Sequence, residues 1–372
     1  MIHVLAVAVR SSRIVTDVAC KKINEGGEWK HRLFYYFCSH KVKLMKKNLF
    51  IVGLWSVLLC VTACSSLQPF SYERLQPADV NFPGQIRKVG IVNHMPPVYQ
   101  DYKNVDYKSA SLEGNGNVAV EALAKEVVAV NYFDQVVIYD EEFRKSTSPL
   151  DQSIPKEVAD DLIRTLDVDM LLSVERVNVE LKESTMFIPE WNAEVSAVDG
   201  IVTSVVRAYL AHREAPLFTI QKTDTLCWKI TPKLTFGDVM KEASEYAATM
   251  PMQNLLPYWE EKERYYFDGG NVEMRDAGVY VREQNWEEAS VLWKEVYDKK
   301  KGKTKMRAAY NLAVYSEMNN DFEAAKEYLD AASTLSDEGS WEQQLILAYQ
   351  FNLEKEHQKN QRLNIQMKRF EP

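Results

Sequence analysis

Cysteine and histidine are both scarce, with five of the former and six of the latter among 372 residues. Cys20, Cys38, Cys60 and Cys64 lie near the amino terminus, which leaves Cys227 alone in the remainder, and one thiol forms no intramolecular disulfide. In TDTLCWKI that cysteine alternates with polar neighbours, as a strand residue does and a nucleophile need not. His94, His212 and His357 have no second ligand at helical or hairpin spacing, so neither a metal site nor a serine–histidine or cysteine–histidine pair is expected. Positive charge is in deficit as well: 45 Lys and Arg stand against 53 Asp and Glu, a net charge of −8 that argues against a nucleic-acid partner. Gly114-Asn115-Gly116-Asn117-Val118-Ala119 fits G-x-G-x-x-A, but the strand expected before it ends near Asn93, too far upstream for a dinucleotide turn. No cofactor is expected. Long apolar runs are missing too, except for Leu49 to Ala63, shorter than the ~20 residues of a spanning helix.

That one run organises the chain. Met45 to Cys64 reads MKKNLFIVGLWSVLLCVTAC, with Lys46 and Lys47 before an apolar core and small residues before a cysteine, which is the form of a signal peptide. A retained transmembrane helix is the weaker reading. Val61-Thr62-Ala63-Cys64 resembles the bacterial lipobox, and the resemblance implies that Cys64 is diacylated and becomes the first residue of the mature protein. Residues 1–44 then read as a false-start extension with Met45 the initiator, the alternative being a basic leader. Residues 45–63 are the lipoprotein signal peptide. Residues 64–84, SSLQPFSYERLQPADVNFPG after the cysteine, are polar with three prolines and read as a tether. By the same resemblance, Ser65 in place of an aspartate favours the outer membrane. The first acidic residue is Glu73, unlike the acidic cluster that marks surface export in Bacteroidota-like lipoproteins, so a periplasm-facing position is favoured.

Residues 85–268 read as an α/β domain. KVGIVN at Lys88–Asn93 and QVVIY at Gln135–Tyr139 are short apolar strands. Each precedes a helical pattern: Val118 to Val130, with Asn115 or Asn117 as cap, and Pro155 to Leu166, with Ser153 as cap. Longer strands follow at Asp169–Leu181, Val195–His212 and Leu217–Ile230; Val202, Val206, Ala208 and Leu210 share one face of the middle one. A helix starts at Thr235-Phe236-Gly237-Asp238, is broken at Pro251 and resumes through Leu255, Leu256 and Trp259, with Glu260, Glu261 and Glu263 on a solvated helical face. The order of elements, with Phe133-Asp134-Gln135-Val136, resembles the amino-terminal domains of TolB and of curli-secretion lipoproteins.

Past Asp268-Gly269-Gly270-Asn271 the composition becomes helical. Asn285-Trp286-Glu287-Glu288-Ala289, with Trp293 and Val296, recurs as Asp321-Phe322-Glu323-Ala324-Ala325, with Leu329 and Ala332. The offset is close to the ~34 residues of tetratricopeptide repeats, which residues 271–372 resemble. Trp341 to His357 reads as a capping helix with a polar face. The expected fold class is therefore α+β, a mixed, largely antiparallel sheet with covering helices followed by an all-α tetratricopeptide-like domain. In that family the first helix of each pair lines a concave face. Arg307, Tyr310, Val314 and Glu317, with Met274, Val281 and Arg282 in the first copy, are the expected partner-binding strip. The function expected is that of a lipid-anchored periplasmic scaffold binding a protein or peptide through its helical domain, with no catalysis. A structural subunit of an outer-membrane assembly is the alternative, and a hydrolase with a dispersed site comes behind both.

Overall fold

Strand β1, Leu67–Gln76, occupies the segment expected to be a tether. The computed structural model describes residues 66–96, 109–139, 141, 143, 144 and 152–370, so Cys64, the signal-like run and the extension lie outside the described residues. From Leu67 onward the chain forms one compact unit.

Strand β2 is Lys88–Asn93, β3 Ser109–Glu113, β4 Gln135–Tyr139, β5 Met170–Ile188, β6 Ala193–Leu210 and β7 Phe218–Lys229. They make a six-stranded sheet of order β4-β2-β5-β6-β7, with β3 paired to β5. β4, β2 and β5 run parallel, whereas β5, β6 and β7 are antiparallel. β2 is short and apolar because both its faces are covered, β4 at the sheet edge leaves Ile138 47% exposed, and β6 and β7 alternate because half of the sheet has a bare face. Helices α1, Gly116–Val130, and α3, Phe236–Thr249, bury their stripes against one face with Val202, Val206 and Ala208. Helix α2, Lys156–Leu166, covers the other face, packing Leu162 and Ile163 on Val92 and Leu171. The fold class is α+β, with helices over a mixed sheet and a helical carboxy-terminal region.

Local chemistry explains the helix ends. Thr235 accepts from the Asp238 amide at 3.1 Å while Asp238 accepts from the Thr235 amide at 3.1 Å, a reciprocal cap that satisfies two orphan donors. Asn115 caps α1 through the amides of Asn117 and Val118. Ser153 does not cap α2: Pro155 holds that position with no side-chain bond. Gly114 follows β3 directly, but β3 is antiparallel to β5, and the turn serves close packing. A Cβ on Gly114 would come within 2.5 Å of Val177, and one on Gly116 within 2.4 Å of Asn93.

The expected helical continuation past Pro251 is corrected. Only a single turn, α4 at Met252–Leu255, follows, and Tyr258–Phe267 is strand β8, paired antiparallel with β1 from Leu67↔Phe267 to Gln76↔Tyr258. Both strands alternate: Tyr72, Arg74 and Gln76 turn inward from β1, and Lys262, Arg264 and Tyr266 from β8, with Trp259 and Glu261 outward. The period is that of a strand, but its inner face is charged.

Among the described residues five α-helices follow, α5 Val272–Arg282, α6 Trp286–Lys299, α7 Gly302–Met318, α8 Phe322–Leu335 and α9 Trp341–Met367, and then a 3-10 turn at Lys368–Phe370. Asn285 and Asp321 cap α6 and α8, and Ala289, Trp293 and Val296 are buried as are their counterparts Ala325, Leu329 and Ala332. α9 is longer than the expected cap, and its outer face is not polar throughout, since Leu347 and Phe351 are exposed.

Candidate functional site

Most of the strip expected to bind a partner is covered by this chain itself. Met274, Val281, Tyr310, Val314 and Glu317 are all buried, and Tyr310 is only 2% exposed. Tyr310 packs edge-on against Phe267 of β8, with centroids 5.2 Å apart. Arg307 donates to the Gly269 carbonyl at 3.3 Å and lies over the Phe267 ring. Arg282 alone of the seven stays largely exposed, 3.9 Å from Asp268. Arg307, Tyr310 and Glu317 are thus corrected from a free groove to an internal interface with the β1–β8 ribbon and α9, and Met274, Val281 and Val314 to core.

The ribbon is held as a bound peptide would be. Asn311, buried in α7, accepts from the Phe267 amide and donates to the Phe267 carbonyl, both at 2.7 Å, supplying the two bonds a neighbouring strand would. Glu317, 0% exposed, takes Arg264 bidentately at 2.9 and 2.7 Å and accepts from the Tyr349 hydroxyl at 2.5 Å. Burial works against the charge on Arg264, but the Glu317 carboxylate more than offsets it and raises the guanidinium above its ordinary value. Arg74 of β1 donates to the Glu317 carbonyl at 3.1 Å and to Asn320 at 2.6 Å, so a cation completes the last turn of α7, where the helix dipole favours it. Farther along, Gln76 and Lys262 reach Glu356 of α9 at 3.3 Å each. Burial, with Glu317 nearby, pushes the Tyr72 hydroxyl up to about 12.

Where the ribbon leaves the helices a second feature opens. Leu75, Val130, Met252, Trp259, Met367 and Phe370 line an apolar cleft of about 410 Å³. Trp259 is 67% exposed and Phe370 48%, large aromatic surfaces left uncovered beside it.

A third lies at the carboxyl end of β2, the position where open α/β sheets gather ligands. A bulge between Val174 and Arg176 puts Glu175 out of register. The His94 ring contacts the Glu175 carboxylate at 2.5 Å, the Tyr209 hydroxyl donates to it at 2.7 Å, and Arg207 approaches to 3.8 Å. Arg144 donates to the His94 carbonyl at 2.9 Å, and His94, Glu175, Tyr209 and Arg144 are buried. Tyr209 also accepts from the Ile154 amide at 3.1 Å, so the hub ties β2, β5 and β6 to the approach of α2. Desolvation raises the nearby Glu113 carboxyl above its usual range, although Arg176 and Arg144 pull the other way. Sequence reasoning set His94 aside because its carboxylate partner is 81 residues away and no local spacing announces it.

Two families match parts of the chain. Residues 86–267 match one described as a domain of unknown function (DUF8603), and residues 275–355 another (DUF6340). No curated protein matches. Among solved structures, a leucine-to-methionine variant of the PelC dodecamer from Paraburkholderia phytofirmans is 14% identical over 50% of this chain and 99% of that one, with a TM-score of 0.25. A second PelC dodecamer from the same organism is 13% identical over 50% and 98%, with a TM-score of 0.23. Scores this low assign nothing to this chain.

Proposed function

We propose that the chain is a lipid-anchored scaffold of the bacterial cell envelope, held at the outer membrane through Cys64 and facing the periplasm. It acts by binding rather than by turnover. Its partner site is the apolar cleft and not the concave face of the helices, and the occupant is a protein segment bearing apolar side chains. One observation carries this: the concave face already holds a strand of its own chain through Asn311 and Glu317, while Trp259 and Phe370 stand uncovered beside the cleft. Exposed aromatics beside a pocket are the usual anchors of an interface. The anchor draws support from the lipobox-like Val61-Thr62-Ala63-Cys64 and from a folded strand that begins three residues after the cysteine.

A photo-crosslinker placed at Val130, which lines the cleft, tests it in living cells. One discrete adduct, lost in Trp259→Glu with the melting temperature unchanged, is the expected result. A ladder of copies of this chain would select the assembly subunit instead. No adduct at all would overturn the cleft as a partner site.

A further inference from the structure

The ribbon and α9 run side by side, and each is fixed at both ends. At one end Leu67 pairs with Phe267, whose ring lies 6.1 Å from Trp341 at the start of α9. At the other, Gln366 of α9 bonds Ala78 and Val80 at 2.9 to 3.0 Å, and Arg369 lies over the Tyr132 ring at 4.1 Å, beside the sheet domain. Ten strand residues rise about 33 Å. Twenty-seven helical residues rise about 40 Å. The elements therefore form a strut, with the six-stranded sheet at its far end.

The near end has its own surface. Trp341 is 51% exposed and Val272, at the start of α5, is 57% exposed. Between them lie the α6–α7 loop, Lys300-Lys301, and the first residues of α7, Gly302-Lys303, of which Lys301 and Lys303 are exposed. Lys300 pairs with Glu273 at 3.3 Å and Lys303 with Glu342, so the loop is pinned to the helix starts that carry Val272 and Trp341. Asp268, Asp337 and Glu338 stand at the same end. Net charge there is too mixed to hold an anionic surface, so the apolar side chains must supply the attraction and the lysines its orientation.

We infer that this end is a bilayer-facing surface: Trp341 and Val272 enter the phospholipid headgroup layer, Lys301 and Lys303 meet its phosphates, and the strut holds the sheet about 40 Å away. The inference rests on the anchor proposed above. Only Ser65 and Ser66 separate Cys64 from Leu67, and three residue steps reach about 10 Å, which leaves the Leu67 end no place but the membrane surface. An indole at that depth sits in its preferred environment, with its ring against acyl carbons and its N–H among headgroups.

The lipidated protein, extracted and reconstituted into phosphatidylethanolamine–phosphatidylglycerol vesicles whose acyl chains are brominated near the headgroup, tests this through tryptophan fluorescence. The expected result is quenching that falls by at least half in Trp341→Phe and does not change in Trp191→Phe or Trp259→Phe. Intact mass of the amino-terminal peptide, read on the same sample, separates the two claims. Lipid on Cys64 with no Trp341 quenching overturns the orientation alone, whereas an unmodified Cys64 overturns the anchor and the orientation with it.

Discussion

Removing the Glu317 carboxylate is the sharpest way to test the clamp. In Glu317→Ala, Arg264 keeps its charge and its bond to the Glu263 carbonyl but loses both bonds to the carboxylate, at 2.9 and 2.7 Å, and Tyr349 loses its acceptor at 2.5 Å. Breaking a buried pair by deleting one partner costs about 3–5 kcal/mol, because the remaining charge is stranded away from water. An unfolding entropy of about 2.1 cal/mol/K per residue over roughly 300 residues turns that loss into a fall of about 5–8 °C in melting temperature. Calorimetry on the purified variant reads it directly. Replacing both members, Glu317→Leu with Arg264→Leu, leaves no stranded charge and is expected to cost less than Glu317→Ala alone. Glu261→Ala, on the outward face of β8, is the control and stays within ~0.5 kcal/mol of the parent. A Glu317→Ala protein that melts within a degree of the parent would refute the reasoning, because the ribbon could not then be held by this pair.

Two further outcomes follow from the same interface. Arg307→Glu combined with Tyr310→Ala lowers the melting temperature by several degrees, since Tyr310 is buried against Phe267 and Arg307 reaches Glu342; an unchanged melting temperature would restore the free groove. Stability also falls in alkali. Tyr72 is raised from about 10 to about 12 by burial and then by Glu317, and burial raises Tyr310 and Tyr349 in the same direction. A folded value above the unfolded one means full stability below about pH 10 and loss as pH rises through 12. Urea midpoints at pH 9, 10 and 11.5 check this, with a shallower decline expected for Tyr72→Phe.

The parts of the fold legible in the sequence are those whose partners are water or a common core. KVGIVN could only be a covered strand, QVVIY was legible as a strand although not as the half-exposed edge it is, and Thr235 with Asp238 marked a helix start to the residue. The ribbon was not legible. Its inward positions are Arg74, Gln76, Lys262 and Arg264, which read as solvated until Glu317 and Glu356 are seen to face them from distant helices. A period of two is present in YWEEKERYYF, but charge on the buried face conceals it from any reading that equates burial with apolarity. The same blindness turned Arg307, Tyr310 and Glu317 into a partner strip: helical spacing showed which way they face, and nothing local showed that residues 67–76 and 258–267 return to cover them. His94 was set aside, and Glu175 and Tyr209 escaped notice, because the bulge that gathers them is a property of paired strands and not of either strand alone.

Amide hydrogen exchange across Leu67–Gln76 tests the central claim most directly, because a tether and a clamped strand differ there by orders of magnitude. The account predicts that the amides bonded to β8 exchange as slowly as those of α7 and that Glu317→Ala speeds both segments together. Exchange of residues 67–76 at the rate of an open chain, with α7 still protected, would contradict it and return that segment to the role of a linker.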